Sequence, residues 1–440
     1  MRLLLTYFAC AFLGGTSVNA YAQNDVIFED DFNNGMKFEK NWYDNSAEEK
    51  TGRIEYKDNG GFRNSGCVKI SNPEKGSIRI MHALTGLEPG KLYRMSAMMK
   101  CTGVKEGRGA AIYLNPDRLE QGWNASKFAY GDVEWNEVYM DFVPDQKGEA
   151  TICCALGFPW GTYNGGKALG EVYYDNVRVE TIGDKLYHRE SKHFIVSLDK
   201  DKVTITDKQM DRWMANLDRT YEAYKELLGG TPYGGRKIMI LNTPGIEPGY
   251  WALAGNPILW NSGVKGAEVL ERAANLDDWG FGILHEIGHV FSASNMLGDG
   301  TGAWNWNDEI FANFRMSYAI EACQGAVSQR NVMYRGADII DYYRISYDET
   351  IGKGIPKNNG DALHYTFLRI KDKYGWSVYK KAFRSLYAVK NADLPKMGSP
   401  YEKFLYFLSH VSVAAGEDVT RICYTPEELK LIEKSLGNNP

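Results

Sequence analysis

Hydrophobic positions recur along this chain with two different periods. From Asp25 to about Ile182, apolar and polar residues alternate in short runs broken by turns: Cys67 to Ile70, Ser77 to Ile80, Leu92 to Met98, Ala110 to Leu114, Glu137 to Phe142, Ala150 to Cys154 and Val172 to Val179. A period of two puts every second side chain on one face of a strand, so this stretch predicts a β-sandwich with no long helix. Past a short linker at Ile182-Gly183-Asp184-Lys185 the pattern changes. A strand at His193 to Ser197 leads into helical spacing from about Lys208 to Leu228, closed by Gly229-Gly230, and Lys237 to Leu241 reads as the next strand. After Glu309 the spacing is mainly helical, through Leu363–Lys373, Ser377–Tyr387, Lys403–Ser412 and Pro426–Ser435. These patterns predict a multidomain chain: an all-β sandwich over residues 25–182, then an α+β region over 187–440 in which a mixed sheet precedes a helical half.

The second region carries the most specific chemistry. His285-Glu286-Ile287-Gly288-His289 lies within apolar helical spacing at Phe281, Leu284, Ile287 and Phe291. Asp277-Asp278 offers an N-cap, and Ser292 to Asn295 with the glycines at 298, 300 and 302 closes the helix. Two histidines four residues apart project from one helix face and can grip one metal ion, while Glu286 beside them can hold a water without ligating the metal. A catalytic zinc takes a third protein ligand and leaves one position open. An extended motif with Gly at 292 and His at 295 is excluded, because the chain has Ser292 and Asn295. Glu309, in the first turn of the next helix, is the expected third ligand, with Asp308 and Asp299 competing. Tyr318, Tyr250 and Tyr365 are candidates to stabilise an oxyanion.

His285 to His289, followed by Glu309 with Asn313 one turn later, resembles the enhancin-like, mucin-degrading zinc metallopeptidases of the gluzincin group. Ala252-Leu253-Ala254-Gly255-Asn256-Pro257-Ile258 resembles that family's small-Gly-x-Pro-Ile segment. Tyr365 to Ile370, running into Tyr374-Gly375-Trp376, resembles its helix ending in an aromatic-Gly-Trp turn. The resemblance spans about Tyr187 to Leu436 and implies one catalytic Zn2+ on His285, His289 and Glu309, with Glu286 as general base. It further suggests that Trp304, Trp306 and Asn307 help admit a glycan on a substrate such as a mucin, with a packed turn as the alternative reading of those residues. The Ala252–Ile258 segment, with Gly255, Asn256 and Pro257, could bind substrate by adding the peptide as a neighbouring strand, and Asn313 is a further candidate substrate contact.

The first region is similar to the family 4/9-type carbohydrate-binding modules, which are jelly rolls attached to secreted glycan-degrading enzymes. Phe28-Glu29-Asp30-Asp31-Phe32, Leu87 to Tyr93 and Tyr174-Asp175-Asn176-Val177 carry that likeness. Such modules often hold a structural Ca2+ between the first and last strands, and Glu29, Asp31 and Asp175 supply oxygen ligands of the right kind. Trp42, Trp123, Trp135, Trp160 and Tyr163 are the candidates for stacking on sugar rings.

Composition narrows the setting. Arg2, the apolar run from Leu3 to Leu13 and Ala20-Tyr21-Ala22 read as a signal peptide over residues 1–22, too short to be a transmembrane segment. Export follows, to the medium, the periplasm or the cell surface, with lipidation at Cys10 as the competing fate. A net charge of −5 argues against nucleic-acid binding. Six cysteines after the leader are too few for a disulfide scaffold. The expected activity is a secreted zinc endopeptidase cutting O-glycosylated proteins. The alternatives are a gluzincin acting on non-glycosylated peptides and a catalytically silent glycan-binding adhesin.

Overall fold

The computed structural model describes residues 25–33, 42–45, 52–115, 124–158, 166–182, 185–245, 252–261, 267–357 and 360–437. The expected signal peptide, Cys10, Trp123, Trp160, Tyr163 and Tyr250 lie outside them.

Alternation builds the first region. Strands β1 (Val26–Asp30), β2 (Tyr43–Asp44), β3 (Arg53–Lys57), β4 (Cys67–Gly76), β5 (Ile78–Leu84), β6 (Tyr93–Lys105), β7 (Ala110–Leu114), β8 (Gly131–Phe142), β9 (Ala150–Leu156) and β10 (Ala168–Thr181) form two antiparallel sheets. Their orders are β3-β4-β10-β6-β8, with β1 also on β10, and β2-β5-β9-β7. Along β6, Tyr93, Met95, Ala97, Met99 and Cys101 are buried in turn, and they meet Ile80, Ile112, Ile152 and Cys154 of the other sheet. Trp42 belongs to this core at 3% exposure and donates its Nε1–H to Asp30, so it is no sugar platform. Trp135 stays half-buried, edge-on to Phe62. All six described cysteines are free, and the four in the sandwich are buried.

The second region opens on a five-stranded mixed sheet of β11 (Leu186–Glu190), β12 (Phe194–Asp199), β13 (Ile238–Asn242), β14 (Ala252–Leu253) and β15 (Ile258–Trp260). Its order is β11-β12-β13-β15-β14, with the β12-β13 and β13-β15 pairs parallel, so β14 is an antiparallel edge. Helix α1 (Asp207–Leu228) crosses between β12 and β13, started by a Thr206/Gln209 capping box and stopped by left-handed Gly229. Helices α2 (Ala267–Leu276), α3 (Phe281–Val290), α4 (Ala293–Leu297) and α5 (Asp308–Cys323) follow. A hairpin of β16 (Ala326–Gln329) and β17 (Val332–Arg335) then leads to α6 (Ile339–Glu349), α7 (Gly360–Tyr374), α8 (Trp376–Tyr387), α9 (Pro400–Ala415), α10 (Val419–Cys423) and α11 (Pro426–Gly437).

An apolar seam joins the two regions. Ile182, Leu186, Met239, Leu241 and Leu259 cluster with Leu92 and Val143 of the sandwich. Beside it, Thr243 donates its buried hydroxyl to Asn124 Oδ1 at 2.7 Å.

Candidate metal centre

Helix α3 differs from expectation at its start. Asp277 and Asp278 do not cap it; Gly280, at a φ of 87°, is the N-cap and has no side-chain hydrogen bond to the helix. Asp278 instead accepts from the Gly280 amide and pairs with Arg272, bracing the approach to the helix. At its other end Ser292 caps the short α4. Helix α5 is capped by Asn307, whose side chain accepts from the Glu309 amide. The cap therefore accounts for Asn307, which was expected to touch substrate.

The two helices meet at Gly288. A Cβ there would lie 2.7 Å from the Ala312 carbonyl oxygen and 2.9 Å from its Cα, so only glycine permits this approach. The contact brings three ligand-type groups together. His285 and His289 Nε2 are 3.0 Å apart, Glu309 Oε2 is 3.0 Å from His285 Nε2, and Glu309 Oε1 is 3.5 Å from His289 Nε2. Among the described residues, His285, His289 and Glu309 are the one group of three or more His, Cys, Asp or Glu side chains converging closely enough to share an ion. Asp299 sits exposed on the turn after α4, outside that group.

The remaining ring nitrogens decide the chemistry. His289 Nδ1 lies 2.7 Å from Asp308 Oδ2, and His285 Nδ1 lies 2.8 Å from Asn313 Oδ1. Both partners are acceptors, which assigns the proton of each neutral imidazole to Nδ1. The two Nε2 atoms then present lone pairs to each other at 3.0 Å, with the Glu309 carboxylate beside them. Facing lone pairs repel unless a cation lies between them, so the donor set fits a divalent metal. Against its burial, the Asp308 and Glu309 carboxylates push His289 up to about 9. The neighbouring His285 and His289 hold the Glu309 carboxyl far below its usual range.

Asp308 thus orients an imidazole, where the sequence left it open as a competing ligand. Asn313 likewise holds His285, where a substrate contact was expected. Glu309 and Asn313, one helical turn apart, bracket the two nitrogens of the same ring.

Glu286 is 8% exposed, and burial raises its pKa against the pull of His285 and His289. The Ala254 amide, next to the edge strand β14, also reaches its carboxylate. A cleft of about 420 Å3 opens beside His285, lined among others by Arg272, Phe281, Asn313 and Arg330.

Several expected contacts fall elsewhere. Trp304 is 1% exposed, edge-on to Phe311 and stacked over Phe407, and the partly buried Trp306 packs against Phe311 and Phe404. Trp304 is core and the half-buried Trp306 packs against that core, because α7, α8 and α9 bring aromatic rings over what reads locally as a polar Asn-rich turn. Asn256 bonds the backbone of Met239 and Lys237, and with Pro257 it lines a groove against Pro89 and Val143 of the sandwich. Gly255 takes a φ of 156° between that groove and β14. The Tyr318 hydroxyl is engaged by Glu226, while Tyr365 packs on Tyr347. Glu29, Asp31 and Asp175 form no grouping of the kind found on α3 and α5. Asp175 accepts from the Phe62 amide, the Ser65 hydroxyl and the Asn176 amide, and Asp31 accepts from the Asn33 amide.

No family model matches the chain, and no curated protein matches it. Solved structures do. The M60 catalytic domain from Clostridium perfringens ZmpC, solved in complex with the sialyl T antigen, is 13% identical, with 80% of this chain and 75% of that one covered, at a TM-score of 0.40. The CBM22-1 xylan-binding domain from Paenibacillus barcinonensis is 10% identical, with 36% of this chain and 96% of that one covered, at a TM-score of 0.26. A putative sugar binding protein from Bacteroides thetaiotaomicron is 12% identical, with 32% and 87% covered, at a TM-score of 0.24.

Proposed function

We propose that this protein is an exported zinc-dependent endopeptidase that hydrolyses peptide bonds in O-glycosylated, mucin-like proteins, with residues 25–182 as a glycan-binding module and 187–440 as the catalytic domain. The observation that carries the hydrolase reading is the convergence of two imidazole lone pairs and a carboxylate beside a buried, otherwise unexplained Glu286. His285, His289 and Glu309 would hold the zinc, which when bound supplies Lewis acidity toward water and a peptide carbonyl.

The chain's own groups supply the rest. Asp308 and Asn313 fix the tautomers that aim Nε2 inward. Glu286 accepts a proton from the attacking water on its carboxylate and returns it to the leaving amine nitrogen, a role suited by the raised pKa of a buried acid. The edge strand β14, paired on one side only among the described residues, would receive an extended peptide lying across Glu286 as one more strand. Preference for O-glycosylated substrates is supported by the likeness of the Ala252–Ile258 segment and of Glu309 with Asn313 to the mucin-degrading family.

The test is a glycoprotein digest before and after enzymatic removal of O-glycans, with and without chelator, using wild type and Glu286→Gln. Wild type should cut only the glycosylated, chelator-free sample. Glu286→Gln should retain zinc and lose about 10²–10⁴ in rate. Equal cutting of the deglycosylated protein would redirect the assignment to ordinary peptides. A zinc-bound Glu286→Gln cutting at the wild-type rate would remove Glu286 from the mechanism.

A further inference from the structure

Helix α5 carries an arginine that the chemistry above leaves unused. Arg315 is 0% exposed, and a guanidinium so placed must find acceptors inside the protein. Its NH1 group donates to the Gly288 carbonyl at 2.8 Å, and its NH2 group donates to Asp308 Oδ1 at 3.1 Å and to the Tyr387 hydroxyl oxygen at 3.2 Å. Tyr387 passes its own proton to the Phe291 carbonyl at 3.1 Å. The other oxygen of Asp308 accepts from His289 Nδ1 at 2.7 Å.

These bonds close a ring. It runs from the Gly288 carbonyl to Arg315, on to Asp308, across to the His289 imidazole and back through one peptide bond to Gly288. Two quantities decide where His289 Nε2 points: the position of the helix backbone at that residue and the rotation of the imidazole. Asp308 alone can set only the second; Asn305 Nδ2 also donates to its Oδ1, at 2.7 Å, but Asn305 has no bond to the α3 backbone among its side-chain contacts. Arg315 fixes the carboxylate and the backbone from one planar fork, which a flexible point charge cannot do. His285 has no equivalent; its Nδ1 meets the neutral amide of Asn313.

We infer that Arg315 is a positioning residue of the metal centre, holding His289 through Asp308 and the Gly288 carbonyl so that its Nε2 faces the ion. The inference rests on the zinc reading of the site. Burying an arginine solely to pack α3 against α5 would stabilise the fold equally with and without metal. A positioning role shows instead in metal affinity and in the ligand field.

The test uses the full chain, stripped of metal, with zinc affinity read by competition against a chromogenic chelator and the ligand field read from the visible bands of the cobalt(II)-loaded protein. Arg315→Lys keeps a buried cation but loses the fork. It should weaken zinc binding about 10- to 100-fold, the usual consequence of losing an outer-shell partner, and shift the cobalt bands. In an Asp308→Asn background the same change should cost measurably less than in wild type, because the arm through Asp308 is already weakened and only the Gly288 arm remains to be lost. A folded Arg315→Lys protein with wild-type zinc affinity and cobalt spectrum would overturn the proposal. So would equal losses in the two backgrounds. Should Arg315→Lys not fold, Tyr387→Phe removes one acceptor of the fork and is expected to weaken zinc about 2- to 5-fold; unchanged affinity there would likewise overturn it. A wild-type chain that binds no zinc would refute the metal reading itself, an outcome distinct from all of these.

Discussion

The sandwich and the second region each bury a carboxylate, and they use it in opposite ways. Asp175 accepts from two backbone amides and a serine hydroxyl around the turn at Phe62–Ser65, so its charge is answered locally. Glu286 is enclosed to a similar degree, yet what surrounds it is a second carboxylate and two imidazoles whose lone pairs all face one point. Burial raises the pKa of both acids. A burial-driven shift therefore does not separate a structural acid from a reactive one. The inventory of donors does: where donors and acceptors pair off the group is structural, and where acceptors converge without a proton between them a ligand is called for.

The largest expected effect tests whether the aromatic turn before Glu309 is core or glycan contact. Trp304→Ala removes a fully buried indole and should destabilise the second region by about 3–5 kcal/mol. The sandwich has a separate core, so its own unfolding transition should stay in place. Calorimetry on the full chain checks this. A weaker KM for glycoprotein with unchanged stability would return Trp304 to the substrate side.

A smaller effect is expected at Asp175. Replacing it with alanine strands the Phe62 and Asn176 amides, which should cost about 1–3 kcal/mol in the sandwich transition. Zinc affinity should not change. Calcium added to wild type should leave the sandwich midpoint where it was. A rise with calcium, abolished in Asp175→Ala, would restore the ion site that the sequence led us to expect.

How far the sequence reached follows from the range of each interaction. Strand alternation and the glycine stop of α1 depend on residues next to one another, and both were readable. So was the pairing of His285 with His289, set by one helical turn. Glu309 could be named because the helix carrying it is itself periodic. Whether Trp304, Trp306 and Trp42 pack or face a ligand stayed open in the sequence for the opposite reason: their neighbours are Asn- or Gly-rich or otherwise loop-like, and the rings that pack on them come from distant strands and helices. Asp308 and Arg315 lie seven residues apart, two turns along one helix face, so a paired Asp and Arg beside Glu309 was a usable signal. Its meaning depended on the closeness of α3 and α5, which only Gly288 hinted at.

The smallest effect concerns whether the two regions act as one body. Thr243 donates to Asn124 Oδ1 and accepts from the Gly245 amide, tying the end of β13 to the segment that flanks β7 in the sandwich. Thr243→Val keeps the shape and removes both bonds. The loss should be about 1 kcal/mol, the net worth of a typical buried hydrogen bond. Because the bond spans the seam, that loss belongs to neither core. It should appear as faster amide exchange at residues 124–126 and 243–245, with both unfolding midpoints nearly unchanged and Glu286-dependent cleavage intact. The apolar cluster of Ile182, Leu186, Met239, Leu241 and Leu259 would still hold the regions together. If exchange at those residues does not move, that cluster alone sets the seam and Thr243 is incidental to it. If instead the second region's midpoint falls by several degrees, the seam is part of that region's core, and the contrast between a self-contained sandwich and a self-contained metal domain would have to be given up.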